Sequence, residues 1–135
     1  MVKYDVFLSY AHGDDDSMIP YAHLIYDELI SAGFTVWFDK YNIGKDTVKS
    51  MRTGVSQSSI FVALLSPEYM RSDNCNFEFS VALGGKKPIL CCAVKPGKYY
   101  LNGIESKTIP TIKLTPRHFH KGVKTLVAEI QGILK

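Results

Sequence analysis

Apolar residues along this chain fall into short continuous runs that alternate with stretches of helical spacing. Val6-Phe7-Leu8, within residues 4–9, form a run of the kind expected of a strand buried on both faces. A polar loop follows through His12, Gly13 and Asp14 to Asp16. Ser17 is placed to cap a helix and Pro20 suits its first turn. Ala22, Ile25, Tyr26 and Leu29 then recur at helical spacing, until Gly33 stops the helix. Residues 34–38, Phe-Thr-Val-Trp-Phe, predict a second strand from their aromatic and β-branched content. A turn-rich loop spans residues 41–45, and Asp46 or Thr47 can cap a second helix with Val48, Met51 and Val55 on one face. Residues 60–65 predict a third strand that breaks at Ser66-Pro67.

A third helix is expected from residues 74–76, with Phe77 and Val81 on its inner face and Gly84-Gly85 at its end. Residues 88–94 predict a fourth buried strand and residues 111–114 a short fifth one. The last helix carries Val123, Leu126, Val127, Ile130 and Leu134 at amphipathic spacing. Buried strands alternating with helices imply a parallel sheet covered on both faces. Right-handed crossovers make it an α/β, doubly wound, open five-stranded sheet. Ligands in such sheets bind beyond the carboxyl ends of the strands, where the strand order reverses. In the flavodoxin-like order that crevice lies between the first and third strands. It receives Ser9, Tyr10 and the loop after them, together with Ser66 to Tyr69, and is flanked by Trp37 and Asp39.

Composition narrows the functional classes. The 135 residues fit a single domain over 1–135, alone or as part of a longer protein. The chain is 46% hydrophobic and 21% charged, with a net charge of +3. That excess is scattered, and no stretch interleaves basic and aromatic residues as a nucleic-acid groove does, so no nucleic-acid partner is expected. Cys75, Cys91 and Cys92 are odd in number and two are adjacent, which points to reduced thiols and a cytoplasmic setting. Zinc spacing, a signal peptide at the start and an apolar run long enough for a membrane span are not present, so no metal and no membrane partner are expected.

The phosphate-binding glycine motifs are missing after the first strand, where His12-Gly13 is the only glycine-containing step. A Gly-x-Ser-x-Gly nucleophile elbow is missing too. The acids at residues 14–16 invite comparison with the magnesium-holding cluster of phosphorelay receivers. A receiver also needs an aspartate at the end of the third strand, where this chain has Ser66-Pro67. Acids ahead of a helix start are accounted for by its dipole. Glu78, between Phe77 and Phe79 and close after Cys75, is the carboxylate of interest. Its spacing suits a helix-start glutamate held by the dipole, and its place beside the crevice suits a functional group equally well.

Four segments, taken together and in order, resemble Toll/interleukin-1 receptor (TIR) domains across essentially the whole chain. Residues 4–10, YDVFLSY, are similar to the first box of that family, and residues 33–39, GFTVWFD, to its second strand. Residues 64–69, LLSPEY, resemble its third strand and exit, and residues 74–79, NCNFEF, its Trp-Cys-x-x-Glu segment, with Asn74 in the Trp position. The aromatic pair ending in Trp near the last helix of animal receptor TIR domains is replaced here by Arg117-His118-Phe119-His120, which leans towards the microbial or effector type.

The resemblance implies a TIR fold and one of two functions. The first is cleavage of NAD+ at the nicotinamide–ribose bond, giving nicotinamide and ADP-ribose or a cyclic isomer. It would be switched on by self-association in immune, antiphage or cell-death signalling. The second is a non-enzymatic scaffold for homotypic TIR–TIR contacts. A nucleoside-processing enzyme of the same fold is a more distant alternative. Under the enzymatic reading Glu78 is the catalytic residue, NAD+ is a substrate and no cofactor is needed. Ser9, Tyr10, His12, Asp14, Trp37, Asp39 and Ser66 are then substrate-binding candidates. Tyr41, Asn42, Ile43, Gly44 and Lys45 form the loop that gates the site and contacts neighbouring copies, and the partners are other TIR domains in a homo-oligomer or filament.

Overall fold

The computed structural model describes residues 4–11, 18–38, 47–97, 99 and 111–135, with only the backbone described at 18, 19 and 47–51. The elements are β1 (Tyr4–Tyr10), α1 (Met18–Ser31), β2 (Val36–Phe38), α2 (Thr47–Ser56), β3 (Ser58–Leu65), α3 (Pro67–Arg71), α4 (Asp73–Gly84), β4 (Ile89–Ala93), β5 (Ile112–Lys113), a 3-10 turn (Pro116–His118) and α5 (Phe119–Leu134). The five strands pair in parallel in the order β2-β1-β3-β4-β5. This is the flavodoxin-like order expected from the sequence, with β1 and β3 adjacent at the reversal.

Strand alternation sends successive side chains to opposite faces of the sheet. On one face Val6, Leu8, Tyr10, Phe38, Val62 and Leu64 pack against Ala22, Ile25 and Leu29 of α1 and Val123, Leu126 and Ile130 of α5. On the other, Phe7, Trp37, Phe61, Ala63 and Cys91 pack against Val55 of α2, Tyr69 of α3 and Cys75, Phe79 and Ala82 of α4. Register sets the shape of this second face. Trp37, Phe7, Phe61 and Ile89 lie side by side in one row, and Ser9, Ala63 and Cys91 in the next row towards the carboxyl ends. Large side chains give way to small ones, so the helices above the second row have room for bulky or polar groups.

Two glycines permit close helix–sheet approach. A Cβ at Gly54 of α2 would lie 2.6 Å from Cε2 of Trp37, and one at Gly122 of α5 would lie 2.1 Å from the Lys113 carbonyl oxygen. Neither position tolerates a side chain without displacing its neighbour.

Two local details go beyond or against the sequence pattern. Between the break at Ser66-Pro67 and the helix expected from residues 74–76 the structure adds the short helix α3. Ser66 caps this helix with its side chain accepting from the Tyr69 N–H, and Pro67 occupies the first turn, where a missing N–H costs nothing. The inner face of α4 is formed by Cys75, Glu78, Phe79 and Ala82, not by Phe77 and Val81, which are only partly buried. Residues 75, 78, 79 and 82 have the i, i+3, i+4, i+7 spacing of one helical stripe. A charged residue in that stripe hides it from a reading based on hydrophobicity alone. Phe77 instead sits under the Arg52 guanidinium of α2, 5.4 Å from its ring centre.

Candidate active site

The carboxyl edge between β1 and β3 holds a buried polar cluster. Ser9, on the small-residue row of β1, donates to Glu78 Oε1 at 2.6 Å. Its hydroxyl oxygen lies 2.7 Å from the Tyr69 hydroxyl. A serine hydroxyl carries one proton, and that proton is directed at Glu78, so Tyr69 donates to Ser9. The order of donation is therefore Tyr69 to Ser9 to Glu78. Ser9 and Tyr69 are fully buried and Glu78 is 2% exposed.

Each member reaches the cluster for a local reason. Glu78 occupies a core slot on α4, one turn after Cys75. Ser72 caps that helix with its side chain accepting from the Cys75 N–H. Tyr69 is held by the Ser66 cap at 3.1 Å. Its helix is tied to the exit of β4 by Glu68, whose two carboxylate oxygens each accept from Lys95 Nζ at 2.9 Å. Tyr99 is buried next to this tie and donates to the Lys95 carbonyl.

The electrostatics follow from burial. Burial foremost, and then the neighbouring Cys75 and Glu78, push the Tyr69 phenol well above its ordinary range, so it stays protonated and serves as a donor. Burial pushes the Cys91 thiol up to about 11, and that of Cys92 higher still. All three cysteines are buried and none is in a disulfide. The hydrogen bond from Lys95 holds the Glu68 carboxyl below its ordinary range. No group of three metal-binding side chains occurs among the described residues.

Glu78, Ser9 and, through its cap on Tyr69, Ser66 are brought together. Tyr10 and Trp37 are placed elsewhere. Tyr10 is one residue from Ser9 and so faces the opposite side of the sheet, where it stacks on Phe38 with ring centres 5.2 Å apart. Trp37 lies in the large-residue row, stacked on Phe7 at 6.0 Å and edge-on to Tyr4 at 5.5 Å, beneath Gly54. It is a core anchor, and its buried Nε1 has no acceptor among the described residues. His12, Asp14, Asp39 and the expected loop Tyr41–Lys45 lie outside the described residues.

Asn74 is exposed on the first turn of α4, so the position of the family's Trp lies on the domain surface. Tyr69 is the member that motif reading reaches only through its segment. The signal available for it is a tyrosine three residues after a Ser-Pro cap, which the short helix swings back over the sheet. Away from this cluster, a shallow depression of about 370 Å³ lies between α1 and α5, lined by Glu28, Ala32, Val123, Lys124, Val127 and Gln131 among others.

Comparison with known proteins agrees with this architecture. The family model described as TIR domain matches residues 6–127, and the chain belongs to that family. A curated relative, the NAD(+) hydrolase TirS of Staphylococcus aureus (strain MSSA476), is 33% identical over 81 residues. That match takes in 58% of this chain but only 28% of the relative. The TIR domain of the Toll-related receptor TRR-2 of Hydra magnipapillata superposes with a TM-score of 0.75 at 16% identity, covering 96% of this chain and 99% of that one. A metazoan TIR-STING receptor from C. gigas gives a TM-score of 0.64 at 19% identity, covering 96% of this chain and 40% of its own. The TIR domains of the activated Roq1 resistosome give 0.59 at 22% identity, covering 70% and 60%. These three structures establish the shared fold. No helix among the described residues is long and apolar enough to cross a membrane.

Proposed function

We propose that this TIR domain cleaves NAD+ at the nicotinamide–ribose bond, with Glu78 as the catalytic residue and self-association as the trigger. The observation that carries the reading is a carboxylate, 2% exposed, held at the β1–β3 switch point by the Ser9 hydroxyl. The relative named as an NAD(+) hydrolase supports it.

The chemistry asks little else of the protein. Nicotinamide in NAD+ is cationic, so it leaves as the C1′–N bond breaks and the electron pair neutralises the pyridinium nitrogen. No acid is required. The ribose becomes oxocarbenium-like, and a carboxylate beside it stabilises the charge and binds the ribose hydroxyls. Water adding at C1′ and losing a proton gives ADP-ribose, and capture by a group of the same molecule gives a cyclic isomer. Ser9, Ser66 and the chain that follows β1, including His12 and Asp14, are the proposed substrate wall. Asp39 and the 41–45 segment are proposed to complete it and to meet a neighbouring copy.

Chromatography of NAD+ incubated with concentrated or crowded protein tests this. Nicotinamide should appear, and Glu78→Gln should remove it while the fold persists. No nicotinamide under any assembling condition, or undiminished release by the variant, overturns the reading. A second reading, a non-enzymatic scaffold, is favoured by the burial of Glu78, which Ser9 holds inside the domain. The same assay separates the two.

A further inference from the structure

Stability alone is a weak account of the hydrogen-bonded line from Tyr69 through Ser9 to Glu78. A phenol, a hydroxyl and a carboxylate are all removed from water. Groups buried in this way give little net stability when paired and a substantial penalty when a partner is lost. An apolar trio of the same shape serves packing as well or better. The three residues also come from distant parts of the chain, Ser9 lying 60 positions from Tyr69 and 69 from Glu78. Each is braced independently: Ser9 by the β1 ladder, Tyr69 by the Ser66 cap and the Glu68–Lys95 tie, and Glu78 by the capped helix α4. The small side chains of Ala63 and Cys91 beside Ser9 leave the space that the cluster fills.

We infer that Tyr69 is a positioning residue for NAD+ cleavage, acting on Glu78 through Ser9. This rests on the catalytic role proposed for Glu78. Ser9 holds the carboxylate by Oε1, which sets the plane and direction of the group that must face the ribose. Tyr69 supplies the proton that turns the Ser9 hydroxyl towards Glu78 and not back into the protein. A phenol whose ionisation is pushed far out of range keeps that direction constant across the working pH. With Tyr69 as phenylalanine, the Ser9 hydroxyl loses its incoming donor and the carboxylate its fixed orientation, though packing is conserved.

Steady-state kinetics on the full chain under assembling conditions tests this with Tyr69→Phe, Ser9→Ala and the double variant. Turnover should fall about tenfold for Tyr69→Phe, with KM within about twofold, as for loss of orientation and not of binding, and on the order of a hundredfold for Ser9→Ala. In the Ser9→Ala background Tyr69→Phe should add nothing, because its effect passes through Ser9. Tyr69→Phe removes one oxygen and conserves the ring, so it stays informative if Ser9→Ala does not fold. Wild-type turnover matched by Tyr69→Phe overturns the inference alone, as does a rise in KM with kcat intact, or an equal loss in both backgrounds. A lowered urea midpoint with unchanged kcat per folded molecule reduces the line to a structural role and overturns it too. Absence of nicotinamide release by the wild type is a different failure. It removes the proposed function, and the positioning role falls with it.

Discussion

The two faces of the sheet are built from the same strands but under different rules. The face under α1 and α5 is a continuous apolar layer that runs from Val36 and Val6 to Leu114 and carries no buried charge among the described residues. The face under α2, α3 and α4 begins in the same way, with stacked Phe7, Trp37 and Phe61 at its amino end. At its carboxyl end it changes to Ser9, Ala63 and Cys91, and there it buries Glu78. One face maximises area removed from water. The other gives up some of that gain to hold three polar groups in fixed geometry. Strength and chemistry are thus separated by a strand only one residue thick.

Substitutions on the two faces should therefore fail in different ways. The largest effect belongs to the polar face. Glu78→Gln conserves volume and an acceptor oxygen, so nicotinamide release should drop by on the order of 10³-fold with little change in the unfolding midpoint. A parallel loss of stability would mean that the carboxylate serves packing, and the contrast between the faces would break.

Next comes the apolar face. Leu126, fully buried, loses about 2–5 kcal/mol as alanine through lost transfer and the cavity left behind. Turnover per folded molecule should remain at the wild-type level, measured by pairing urea unfolding with the chromatographic assay. Gly54→Ala drives a methyl group into the Trp37 ring and should cost about 1–3 kcal/mol, reduced by the better helix propensity of alanine. Trp37 fluorescence reports it directly, because the indole is the group displaced.

A smaller effect concerns the Glu68–Lys95 tie. Glu68 is held ionised below its ordinary range, so its contribution to stability is present above the usual carboxylate range and is lost as pH falls through the lowered value. Lys95 is 41% exposed, so the pair is worth less than about 1 kcal/mol. Lys95→Met should be slightly less stable than wild type at neutral pH, and the two should converge in acid titration of the unfolding midpoint. The finest probe compares adjacent thiols. Cys91 faces the polar side and is 9% exposed, whereas Cys92 faces the apolar side and is fully covered. Native alkylation should reach Cys91 first, and labelling of both at equal rates would mean that the two faces open together.

Much of this fold is legible in the amino-acid sequence. Strand-like runs at Val6-Phe7-Leu8 and at 60–65, and the helical stripe Val123, Leu126, Ile130, each carry their period within a few residues. Alternation of the two types is enough to imply the parallel sheet and the edge where a site would form. The polar cluster was less legible. The sequence points to Ser9 by its strand end and to Glu78 by its place beside the crevice. It points to Tyr10 alongside Ser9, because both end the same strand. The pleat sends them to opposite faces, and only the register against β3 and the helices above shows which face is which. Glu78 concealed its own helix stripe, since a charge in a core position reads as an outward residue until its partner is known. Tyr69 depended on a five-residue helix too short for any periodicity to announce.

The sequence by itself determined the strands, the longer helices, their order and the edge of the sheet that could carry chemistry, because those follow from local periodicity and from the handedness of L-residues. Only the tertiary structure decided that Tyr69, Ser9 and Glu78 form one hydrogen-bonded line. Contacts between residues 60 and 69 positions apart depend on strand register, helix caps and the size of neighbouring side chains acting together, and no local pattern encodes that sum.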